Sequence, residues 1–234
     1  YTGGQSEVLL GKAIASRRHD AIVATKVAFR LGPGLTNQGL SRHHILQAAE
    51  GSLKRLGTDY IDLFQLHGFD AKTPVEETLS ALETLVRAGK IRYIGCSNYL
   101  AYQLATAIGR SDVNGWARFA SIQPRYNMLF RENERELLPL CEQENIAVIP
   151  YNPLAGGFLT GKYRRGTPAD SRAASAHLRD YVSAHLDLRS RQVVDAVCAA
   201  ADGLGVSPID VSLAWLRSRQ WVTSSVVGAR TTAQ

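Results

Sequence analysis

No apolar run in this sequence approaches the ~18 residues a membrane-crossing helix needs, so no membrane partner is expected. Cysteine is scarce: Cys96, Cys141 and Cys198 stand 45 and 57 residues apart. That is neither a disulfide framework nor a zinc spacing, and it fits a reducing cytoplasm. N-x-S/T sequons are absent, which gives no reason to place the chain outside the cell. No signal peptide is visible, and the first residue is Tyr1 rather than Met. Basic residues (27) outnumber acidic ones (21), for a net charge of +6. They are scattered rather than gathered into a tract, so a solvated basic surface is expected and nucleic acid is not. The pair His43-His44, and His177 and His185, show no H-E-x-x-H or Cys/His ligand pattern; no metal is expected. The G-x-G-x-x-G fingerprint of a doubly wound dinucleotide fold is also missing.

What the chain of 234 residues does contain is alternation. Short β-type runs occupy 21–27, 61–68, 91–98, 119–127, 146–154 and 222–230. Each opens on β-branched or aromatic residues and closes on polar, Gly or Pro residues, as buried parallel strands do. Amphipathic stretches lie between them. Residues 41–57 predict a helix with Ser41 as N-cap, an apolar face of Ile45, Ala48, Leu53 and Leu56, and Gly57 as its stop. Further helices are predicted over 74–90, with Pro74 at the start, and over 133–145, 188–205 and 207–220. The segment 163–180, rich in Arg, Ala, Ser and Pro, reads as a loop over one face.

Polar residues recur where the β-type runs end: Lys26, His67, Ser97 with Asn98, Gln123, and Tyr151 with Asn152. Spacings of 30, 26 and 28 residues between successive ends from His67 to Tyr151 indicate one repeating β/α unit. The expected fold is a single domain over 1–234, an α/β parallel sheet closing as a (β/α)8 TIM barrel, whose strand ends converge on one mouth. Only six strands can be counted, so two more are expected ahead of Tyr1.

The segments 1-YTGGQSE-7, 22-IVATKV-27, 52-SLKRLGTDYIDLFQLH-67, 89-GKIRYIGCSN-98, 149-IPYNPLAGGFLTGKY-163 and 227-VGARTTAQ-234 resemble the aldo-keto reductase superfamily. They are most similar to its branch of bacterial reductases and potassium-channel β subunits. The resemblance runs collinearly along the whole chain. It implies an NADPH-dependent carbonyl reductase with a Tyr, Lys, His, Asp tetrad, placing Tyr1, Lys26 and His67 in the catalytic roles. The tetrad aspartate, expected in D-T-A-x-x-Y, would precede Tyr1 and is not in the sequence.

The chemistry of the residues agrees with that assignment. Carbonyl reduction needs a hydride and then a proton for the developing alkoxide. A phenol with a pKa near 10 is a poor donor until an ammonium lowers it. Lys26 is the candidate ammonium and Tyr1 the donor. Neutral imidazole at His67 would orient the carbonyl. Amide and hydroxyl groups of Ser97, Asn98 and Gln123 would hold the nicotinamide carboxamide, and Tyr151 would stack on its ring.

The stretch 156-GGFLTGK-162 has the outline of a P-loop, but Tyr163 stands where Ser or Thr must follow, which excludes a triphosphatase. Its glycine amides and one Lys suit a diphosphate. The resemblance assigns the cofactor there, with Asn152, Pro153, Leu154, Gly156, Gly157, Leu159, Gly161 and Lys162. Arg230, Thr231 and Gln234, after Gly228, open a predicted helix whose N-terminus suits a 2′-phosphate, favouring NADPH/NADP+ over NADH. Phe29, Phe69 and Tyr126 are candidates for an apolar substrate pocket. The partner is a small-molecule carbonyl substrate, the location cytoplasmic, and oligomerisation stays open. Two alternatives remain: a lyase forming a Schiff base on Lys26, and a non-catalytic NADPH-binding regulatory subunit.

Overall fold

A computed structural model describes residues 2–168, 171, 174 and 187–229. Tyr1 and Arg230, Thr231 and Gln234 lie outside the described residues, as does most of the 163–180 segment. Contacts divide the chain into two compact units, Tyr1–Ile122 and Gln123–Gln234.

The first unit is built on β/α alternation. Helix α1 (Gln5–Ile14) precedes β1 (Ala24–Val27), α2 (Arg42–Leu56), β2 (Ile61–Leu66), α3 (Val75–Arg87), β3 (Ile91–Ser97), α4 (Ala101–Asn114) and β4 (Phe119–Gln123). The strands follow in chain order, β1-β2-β3-β4. β1 pairs with β2 in parallel, Lys26 opposite Gln65, and β2 with β3, Gln65 opposite Gly95. Because side chains alternate between faces, Gln65 and His67 share one face, as do Gly95 and Ser97. β2 is covered on both sides: Ile61, Phe64 and Leu66 are fully buried. Each such apolar side chain contributes about 1.5–3 kcal/mol on burial.

Helix α2 forms as its sequence dictates. Ser41 Oγ accepts the His44 amide at 3.3 Å, and Gly57 closes the helix at φ 64°. Glu7 of α1 fastens two elements at once. It accepts the Thr25 hydroxyl of β1 at 2.5 Å and the Arg55 guanidinium of α2 at 2.6 Å. Helix α4 was not among the predicted helices. Its first turn carries no Ser, Thr or Asp cap; Gln103 accepts the Leu100 amide at 2.9 Å instead.

In the second unit the β-type runs are realised only in part. β4 ends at Gln123 because Pro124 cannot donate to a ladder, although Arg125 and Tyr151 form one parallel bridge beyond it. β5 is only Ala147–Val148, cut short by Pro150 and Pro153 rather than running over 146–154. The run at 222–230 is likewise not a strand over its described residues. It makes one parallel bridge, Val148 to Val222, and the amides of Thr223 and Val226 donate to Val148 and Pro150 at 3.0 and 2.9 Å. The helix predicted over 133–145 is a short 3-10 turn, Glu132–Glu134, and then α5 (Leu137–Gln143). A 3-10 segment, Ala155–Thr160, precedes α6 (Leu188–Leu204) and α7 (Pro208–Arg217). Ala155, Phe158, Leu159 and Tyr163 pack with Val194, Val197 and Cys198 as the core of this unit. Among the described residues no single helix is long and apolar enough to cross a membrane.

Candidate functional site

Lys26 lies near the end of β1 and His67 directly after β2. Parallel pairing brings these ends level: the His67 amide donates to the Val27 carbonyl at 2.8 Å. Both side chains are half-buried. Burial lowers the Lys26 ammonium below the ordinary lysine range. His67 is pushed down to about 4, first by burial and then by the Lys26 charge. At neutral pH the imidazole is therefore uncharged and keeps one N–H donor.

The ring of Phe29 lies over it, centroids 4.4 Å apart at 47°. Phe29 is itself largely exposed, and Phe69 meets Tyr99 edge-on at 5.3 Å.

Ser97 ends β3 fully buried, and Asn98 follows at φ 57°. The Asn98 amide reaches Ser97 Oγ at 3.2 Å and, more weakly, the His67 carbonyl at 3.4 Å. The structure thus gathers Lys26, His67, Ser97 and Asn98 at one end of β1–β3. Sequence reasoning missed Gln65, which is buried one residue pair below His67, and Asp70, which ties the neighbouring loops. The alternation of β2 was signal enough for Gln65.

Gln123, the last residue of β4 and the first of the second unit, is 8% exposed. Tyr151 follows β5 half-buried, its amide donating to Pro124 at 3.0 Å. Burial raises the Tyr151 phenol, and Arg125 acts in the opposite sense. Asn152 sits at φ 61°, and its side-chain oxygen accepts the Gly156 amide at 2.6 Å. Its carbonyl accepts from Asn127 Nδ2 at 2.9 Å. Asn127 has no exposed surface and also accepts the amides of Leu129 and Phe130. It is a residue the sequence reading did not single out.

Gly156 and Gly157 follow in left-handed conformation, φ 67° and 93°, which residues with a Cβ rarely adopt. A Cβ on Gly157 would lie 3.0 Å from Lys162 Cε and 3.1 Å from its Nζ, so the ammonium folds onto this turn.

One expectation about this turn changes. The glycine amides were expected to face a diphosphate. Instead Gly156 donates to Asn152 Oδ1, Gly157 to the Leu154 carbonyl at 2.9 Å, and Gly161 to Phe158 at 3.1 Å. What the turn offers an anion is the Lys162 ammonium and Asn152 Nδ2, a buried donor with no partner among the described atoms. Pro153 is buried, and Leu159 belongs to the core cluster. Gly228 is exposed, in the stretch after the Val222 bridge. Tyr126 does not line a pocket. It is fully buried, donates to Glu134 at 2.6 Å and packs on Trp215. Its phenol is raised by burial and by the Glu134 carboxylate.

Residues 1–234 match the model of the Aldo/keto reductase family. A probable voltage-gated potassium channel subunit beta from Arabidopsis thaliana is 37% identical, over 100% of this chain and 73% of its own length. The chain belongs to the aldo/keto reductase family. A versiconal hemiacetal acetate reductase from Aspergillus parasiticus is 35% identical over 92% of this chain and 68% of its own. A putative aryl-alcohol dehydrogenase from Saccharomyces cerevisiae is 34% identical over 100% and 73%. The aldo/keto reductase fold is a (β/α)8 barrel, and the parallel β/α repeat of this chain is consistent with part of one. Membership and the reductase-named relatives support an oxidoreductase.

Proposed function

We propose that this chain is an NADPH-dependent carbonyl reductase acting on a small aldehyde or ketone. The observation that carries the reading is the pairing of a neutral, half-buried His67 with a half-buried Lys26 at the ends of neighbouring strands, in a chain of this family. His67 holds an N–H toward the carbonyl oxygen and polarises it. Lys26 favours the phenolate form of Tyr1, which makes Tyr1 the proton donor to the alkoxide. NADPH, when bound, supplies the hydride.

The residues present suit such a cofactor. At the left-handed glycine turn the Lys162 ammonium lies against Gly157, and the buried Asn152 amide has no partner among the described atoms. These would hold its diphosphate. Ser97, Asn98, Gln123 and Tyr151 are assigned to the nicotinamide, and Arg230, Thr231 and Gln234 to the 2′-phosphate. A cytoplasmic location and a single barrel domain go with this reading. The experiment is NADPH oxidation by the full chain over a panel of aldehydes and ketones. Turnover that follows carbonyl concentration supports the proposal, and absence of turnover with every carbonyl refutes it.

A second reading is favoured by the potassium-channel relatives: an NADPH-binding regulatory subunit. It requires tight NADPH binding without turnover. The Schiff-base alternative on Lys26 requires a borohydride-trapped adduct, and the lowered ammonium is the observation in its favour.

A further inference from the structure

The loop between β1 and α2 carries Phe29, and one carboxylate outside that loop contacts its far end. Asp70, in the segment between β2 and α3, accepts the Leu40 amide at 2.8 Å, the Lys72 amide at 2.9 Å and the Thr73 hydroxyl at 2.8 Å. Burial raises this carboxyl, and the hydrogen bonds from Leu40, Lys72 and Thr73 more than offset it, leaving it below the usual carboxylate range. Leu40 is fixed from its other side too, since its carbonyl accepts the Thr78 hydroxyl of α3 at 2.9 Å.

Gly39 lies against the same carboxylate. A Cβ there would come within 2.8 Å of Asp70 Oδ2, and Gly39 has φ 82°. The Gly39 amide then donates to the Ala28 carbonyl at 2.7 Å, closing the base of the loop. Ala28 is held at φ 147°, a conformation costly for a residue with a Cβ. The next residue is Phe29, whose ring lies on His67. A continuous set of contacts thus runs from Asp70 through Leu40, Gly39 and Ala28 to the Phe29 ring. Within the loop, Leu31 donates to Asn37 and Arg30 reaches Gln38 and Pro33, so these contacts tie its two arms to each other.

We propose that Asp70 is a positioning residue: it latches the 28–40 loop so that Phe29 is held against His67, and so sets how bulky a carbonyl compound can reach the imidazole. The role in selection rests on the reductase reading; the latch does not.

The test uses Asp70→Ala and Asp70→Asn in the full chain, with two sets of measurements. Hydrogen exchange at the Gly39 and Leu40 amides reads the latch. Asp70→Ala is expected to speed both by about tenfold or more, and Asp70→Asn, which keeps an acceptor oxygen, to restore most of the protection. The ring-current shift of the His67 protons by Phe29 should collapse in Asp70→Ala. Steady-state kinetics with an aryl ketone and a two-carbon aldehyde read selection. The ratio of kcat/KM for the two is expected to change about tenfold through KM of the larger substrate, with kcat for the smaller nearly constant. A merely structural role would depress both substrates alike, and an equal loss overturns the proposal. Unchanged amide exchange overturns the latch whatever the kinetics. Parent protein without turnover removes the reductase reading and the selection role together, while the exchange data still decide the latch.

Discussion

The two units position their polar groups in different ways. In the first, Lys26, His67 and Ser97 stand at or beside the ends of paired strands, and backbone register alone brings them level. In the second, Asn152 and Lys162 are placed by a turn of left-handed residues stitched by its own amides, with the buried Asn127 beneath. Register tolerates side-chain change well, since the ladder bonds are between backbones. A turn built on side-chain acceptors does not, because each lost acceptor strands a buried amide. The first unit should therefore respond to substitution in its chemistry, the second in its shape.

The sharpest way to break this contrast is Tyr1→Phe. If the phenol is the proton donor, turnover falls by about 10²–10⁴-fold while NADPH affinity measured by fluorescence titration stays put. Unchanged turnover would transfer the acid role to His67. Next comes Asn127→Ala in the second unit. It removes the side-chain acceptor of the Leu129 amide, while the Phe130 amide keeps the residue-127 carbonyl at 3.1 Å and the Asn152 carbonyl keeps the Ala155 amide at 3.0 Å. It should cost about 1–3 kcal/mol in urea unfolding; a loss below about 0.5 kcal/mol would show that the turn holds itself.

Lys162→Met separates charge from shape. NADPH should bind about tenfold more weakly, since a charge-assisted contact is worth about 1.5 kcal/mol or more, with kcat at saturation preserved. Arg230→Ala should weaken NADPH more than NADH; equal losses would remove the 2′-phosphate assignment.

The last test is the pH slope of stability. His67 titrates near 4 when folded and at its ordinary 6.5 when unfolded. Between those values the unfolded chain binds more protons, so stability falls as pH drops through the window. His67→Gln should flatten that part of the slope in pH-dependent melting; an unaltered slope would mean the imidazole is not held neutral by its surroundings.

How much of this was legible in advance follows the same division. Helix α2 could be read off Ser41 and Gly57 because capping is a local rule. Lys26, His67 and Ser97 could be read because apolar runs that end in polar residues betray parallel strands. β5 and the 222–230 run were over-extended, since a string of apolar residues does not reveal that prolines deny the ladder its donors. Helix α4 was missed because its start relies on Gln103 reaching back rather than on a conventional cap. The inward-facing amides of Gly156 and Gly157 could not be read at all. A Gly-Gly pair announces left-handed freedom without saying which acceptor the N–H groups will find.

Because the glycine amides of the Asn152–Gly161 turn are bonded within it, the turn is a finished ledge before anything lands on it. A phosphate arriving there meets a cation already in place and has little chain to freeze. Association with it should be quick, governed by ionic strength more than by loop folding, and accompanied by only a slight entropic penalty.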